Sequence, residues 1–73
     1  MAQLTRAPKD RVYWRVHWRS VSMAAPAFAY FDAEDDAVAF AERVAADGGI
    51  ADVYRTDPRT GDNVLVRSFD AEP

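Results

Sequence analysis

The chain has no cysteine, so no disulfide can brace it, and with a single histidine, His17, it has no cysteine–histidine cluster for a structural zinc. Two common supports of small domains are thereby excluded, and no metal or cofactor is expected. Long hydrophobic runs are also missing. The longest uncharged apolar stretch, residues 23–31, has nine residues and contains Pro26, against the roughly 20 that a bilayer-crossing helix needs. The first ten residues, MAQLTRAPKD, carry Arg6 and Lys9 with no apolar segment behind them, a pattern unlike a secretory leader. The expectation is a cytoplasmic protein without a membrane partner. Lysine is nearly absent, one against eight arginines. At 73 residues a chain removes only about 60% of its unfolded surface from water. The core is thin, and oligomerisation is the remaining means of support.

What is present is an alternating segment, residues 11–21, RVYWRVHWRSV. Strand side chains point to opposite faces with a period of two. Val12, Trp14, Val16 and Trp18 therefore form one apolar face, and Arg11, Tyr13, Arg15, His17 and Arg19 form a cationic aromatic one. Charge is segregated along the chain as well. The net charge of −3 combines +4 over residues 6–19, −5 over residues 32–47 and −2 over residues 48–73. Such asymmetry bears on partner choice more than the total does.

The pattern predicts a single α+β domain over residues 11–69, with residues 1–10 and 70–73 as flexible tails. A second strand is expected in AFAYF, residues 27–31, paired antiparallel with the first. Asp32 is placed to cap a helix, with Asp35 three residues on and Glu34, Asp35 and Asp36 where the macrodipole favours negative charge. Ala37, Phe40, Ala41, Val44 and Ala45 form the buried stripe, and Gly48 and Gly49 end the helix. The small alanines leave room for the two indoles when the helix packs across Val12, Trp14, Val16 and Trp18. IADVYRT and NVLVRSF flank a turn with Pro58 and Gly61 and form a hairpin. A four-residue loop over residues 58–61 pairs Arg55 with Val64, Tyr54 with Leu65, Val53 with Val66, Asp52 with Arg67 and Ile50 with Phe69. The expected architecture is ββαββ: a four-stranded, mainly antiparallel sheet with one helix on one face. One helix covers only one face of such a sheet, and an apolar patch left open marks a contact site.

No arrangement that carries catalysis stands out. His17 and Ser20 fall on opposite faces of a regular strand, so they form no nucleophile–base pair. Glu34, Asp35 and Asp36 are accounted for by the helix dipole. Asp57 and Asp62 flank the turn but fall short of the six to eight oxygens that calcium takes. The candidate partner-binding residues are Tyr13, Arg15, His17, Arg19, Tyr54 and Arg67. Arginine interleaved with aromatic residues suits protein interfaces, where both are enriched. It also suits single-stranded nucleic acid.

The helix pattern AxxFAxxVxxxGG, set between a strand and a hairpin that ends in an aromatic residue, resembles half of a peptidoglycan-binding SPOR domain over about residues 27–69. The chain departs from that family in lacking its second helix and an export leader. No glycan-binding role or residue is carried over. The sequence reading is a non-enzymatic protein–protein interaction module, a homodimeric regulator or inhibitor that binds another protein. Nucleic-acid binding through the Arg/Tyr/His face is the alternative, which an acidic chain of pI about 4.9 disfavours.

Overall fold

The computed structural model describes residues 3–70. The elements run β1 (Gln3–Leu4), β2 (Tyr13–Arg19), β3 (Ala27–Phe31), α1 (Glu34–Ala46), β4 (Ile50–Asp57) and β5 (Asp62–Phe69). The strands form one sheet in the order β1-β3-β2-β4-β5, with every neighbouring pair antiparallel. The sheet thus has five strands, not four, and the element order is βββαββ. The added strand lies within the ten residues read as a tail, where Gln3 pairs with Phe31 and Leu4 with Tyr30. Its backbone takes up hydrogen-bonding groups that β3 would otherwise leave at an open edge. Most of the expected C-terminal tail, residues 71–73, lies outside the described residues.

Since β3 and β4 both pair antiparallel with β2, they run parallel to each other on its two sides. Parallel strands need a long crossover, which α1 supplies by passing over β2. The alternating segment places Trp14, Val16 and Trp18 toward the helix. Val16 is fully buried between Ala29 of β3 and Val53 of β4, its partners in register. Phe31, Ala37, Ala41, Val44 and Ala51 complete the core, with Trp14, Trp18, Phe40, Val66 and Phe69 packed against it. Alanines on the helix do face the large residues of the sheet. Val12, by contrast, lies before the strand begins and outside this cluster.

The helix starts one residue later than expected. Its N-cap is Ala33, which offers no side-chain cap, because Asp32 instead accepts a hydrogen bond at 3.1 Å from the guanidinium of Arg11. That bond also raises the Arg11 pKa. The far end matches the expectation: Gly48 has φ +95°, and the amides of Gly48 and Gly49 donate to the carbonyls of Ala45 and Val44 at 3.0 and 2.9 Å, a Schellman closure. Gly49 has a second reason to be glycine. A Cβ there would stand 2.5 Å from the carbonyl oxygen of Arg19 and 2.8 Å from Val44 Cγ1, so the chain passes the end of β2 only without a side chain.

The hairpin has its four-residue loop, and Arg55 pairs with Val64 and Tyr54 with Leu65 as expected. Beyond them a β-bulge shifts the register, so that Val53 pairs with Arg67, Asp52 with Ser68 and Ala51 with Phe69. Packing gives the reason. Val66 and Phe69 both join the core, yet residues three apart point to opposite faces of a regular strand. The inserted residue brings both to the helix side. It carries Arg67 there too, with its guanidinium 4.7 Å above the Phe69 ring.

Candidate functional site

The face of the sheet away from α1 is built around β2, the central strand. In register, Arg15 lies between Tyr30 of β3 and Tyr54 of β4, and His17 lies between Phe28 and Asp52. Arg19 stands opposite Ile50, and Tyr13 opposite Thr56. Leu65 adds an apolar side chain beside Tyr54. Among the described residues no helix covers this face. Phe28, Ile50 and Leu65, one on each of three strands, remain about half exposed on this face, which is the kind of open apolar surface that marks a contact site.

Arg15 is the centre of the arrangement. Its guanidinium carbon lies 5.4 Å from the ring centre of Phe28 and 5.2 Å from that of Tyr54, within the range of cation–π attraction to both rings. Its Nε is buried without a hydrogen-bond partner. None of the ion pairs among the described residues involves Arg15, since these join Arg11 to Asp10 and Asp32, and Arg59 to Asp57. The His17 ring packs against Phe28 at 5.0 Å, and Tyr13 meets Tyr30 edge to face at 5.9 Å. An aromatic row therefore surrounds a cation that forms no ion pair among the described residues.

Of the six residues singled out from the sequence, the sheet brings Tyr13, Arg15, His17, Arg19 and Tyr54 to one face. Tyr13 is only 7% exposed and presents little surface. Arg67 is the exception, because the bulge puts it on the helix side, opposite buried Val53. Phe28 and Tyr30 belong to the face and were not assigned to it from the sequence. Their signal was the alternation within AFAYF, which sets Phe28 and Tyr30 against Ala27, Ala29 and Phe31.

The opposite side of the molecule differs in charge. Glu34, Asp35 and Asp36 crowd the first turn of α1, so an acidic helix backs a cationic sheet face. Among the described residues no three His, Asp or Glu side chains gather to hold a metal. Asp57 and Asp62 are partners in register at the hairpin end, but Asp57 is engaged by Arg59. A cleft of about 180 Å³ lies on the helix side between Trp18, Ser20, Phe40, Arg43, Val44 and Asp47. No helix of the described residues is long and apolar enough to cross a membrane. Comparison of the chain with protein-family models, with curated proteins and with solved structures gives no match.

Proposed function

We propose that the protein is a non-enzymatic interaction module, a homodimeric regulator or inhibitor that engages another protein through the open sheet face around Arg15. The observation behind this reading is the state of Arg15: a cation within cation–π range of two aromatic rings, without an ion pair among the described residues, on a face that none of their helices covers. The two rings and the buried Nε restrain the guanidinium, so less freedom is lost when a partner binds. A carboxylate on the partner gains a charge-assisted bond there. Phe28, Tyr54 and Leu65 supply the apolar surround that excludes water from such an anchor. The partner that fits is a protein surface with an acidic side chain set among apolar ones.

The test is capture from the native host with immobilised wild type, Arg15→Ala, Tyr54→Ala and, on the helix, Glu42→Lys. A protein retained by wild type and Glu42→Lys but lost from both sheet-face variants is the expected result. Titration with single-stranded and duplex oligonucleotides at two salt concentrations is the opposing arm. Micromolar, salt-weakened binding that disappears in the Arg15→Ala/Arg19→Ala double variant would replace the protein partner with a nucleic acid.

A further inference from the structure

The two edges of the sheet are unequal. On one side β1 is two residues long, too short to template another strand. On the other, β5 is eight residues long, DNVLVRSF, with neither lysine nor proline, and it pairs with β4 alone among the described residues. Natural edges are blunted by shortness, charge, proline or a cover. The first half of β5 has little of this, for its bulge lies further along. At that edge Val64 is 56% exposed and Leu65 is 52% exposed, adjacent residues that project to the two faces.

We propose that β5 is the subunit contact: a second copy of this chain pairs antiparallel with it about a two-fold axis at Val64, joining two five-stranded sheets into one of ten strands. This rests on the homodimer reading and assigns its interface to an edge, which leaves the Arg15 face to the partner protein. Face matching narrows the register and charge decides it. Centring on Val64 sets Asn63 against Leu65 of the second copy, both on the open face, and Asp62 against the Val66 and Arg67 bulge, both on the helix face. Centring on Leu65 instead would set Asn63 against Arg67, which project to opposite faces. Charge selects the same register. Neither Asp62 nor Arg67 has an ion pair among the described residues, and antiparallel pairing brings the acid of each copy to the arginine of the other, twice. Parallel pairing would align acid with acid. A homodimer formed this way is isologous and closed, with both free β5 edges consumed.

The chain without cysteine makes the test clean. Val64→Cys places two thiols across the axis, and directly opposed strand residues, with Cα atoms about 4.5–5.5 Å apart, fall within disulfide reach. Mild oxidation is expected to cross-link Val64→Cys into a dimer and leave Val21→Cys, at a 72% exposed turn position, largely uncross-linked. In dilution series followed by light scattering, Asp62→Arg should weaken the dimer roughly tenfold, since two opposed pairs become repulsive at once. The swap Asp62→Arg/Arg67→Asp should restore it. Three results overturn the proposal: equal cross-linking of both cysteine variants, a double swap no better than the single change, or a wild type that stays monomeric at millimolar concentration. Retention of partner capture in the last case would show that the edge assignment had failed while the Arg15 face stood.

Discussion

At the hairpin tip, Asp57 Oδ1 accepts bonds from the backbone N–H of Arg59 at 3.0 Å and from its Nε at 3.1 Å, and Oδ2 accepts one from Nη2 at 3.3 Å. The side-chain bond from Arg59 comes first, and its backbone bond second, in holding the Asp57 carboxyl below its ordinary value. A carboxyl depressed in the folded state adds stability that is present above the unfolded value, about 3.9, and is lost as pH falls through the folded one. Asp57→Asn keeps an acceptor for the backbone N–H but loses the charge. Wild type should therefore be the more stable at pH 7, with the gap closing as urea midpoints are followed from pH 5 to pH 2. A gap that stays constant across that range would remove the charge from the explanation. The turn was legible from Pro58 and Gly61, whereas the pairing of Asp57 with Arg59 was not drawn from the sequence. Asp32 was not legible: its position before the helix signals a cap, yet its partner is Arg11, 21 residues away in sequence, and only the folded chain brings them together.

At the scale of elements, alternation was the reliable signal for β2, β3 and the two faces of the sheet as far as Leu65, and Pro58 and Gly61 marked the loop of the hairpin. The register of β5 past Leu65 was not recoverable by alternation, because a bulge changes the phase within one strand. The spacing of Val66 and Phe69 held the clue, as two apolar residues three apart cannot share a face of a regular strand. Strand β1 was hidden for a different reason, since two residues show no periodicity at all. The bulge has an energetic consequence that separates the two registers. Phe69 packs against the core while Ile50 is 49% exposed on the other face. Phe69→Ala should cost about 2–3 kcal/mol, at or below the bottom of the roughly 3–5 kcal/mol range for buried aromatics because Phe69 is not fully buried. Ile50→Ala should stay within about 0.5 kcal/mol, as surface changes do. Chemical denaturation of both variants checks this, and comparable losses would favour the unbulged register in which the two side chains face each other.

For the whole molecule, the decisive balance is between a small core and the order it must maintain. Among the described residues the largest fully buried side chains are Phe31, Val16 and Val53, and with no cysteine in the sequence no disulfide adds to them. A domain of this size is marginal on its own, so an interface formed only by the folded chain contributes to its stability through mass action. Edge pairing through β5 meets that need and leaves Arg15 itself open, with Phe28, Ile50 and Leu65 on the sheet face and Val64 projecting to the helix side at the edge. Linkage then makes thermal stability depend on concentration. Over a hundredfold increase in protein, the unfolding midpoint of wild type should rise by roughly 5–10 °C, given the small entropy of unfolding of so short a chain. Asp62→Arg should flatten that slope, its double swap with Arg67→Asp should recover it, and Arg15→Ala should retain it because it touches the other surface. A wild-type midpoint independent of concentration, or a slope lost in Arg15→Ala and kept in Asp62→Arg, would separate stability from the β5 edge and transfer self-association to the sheet face.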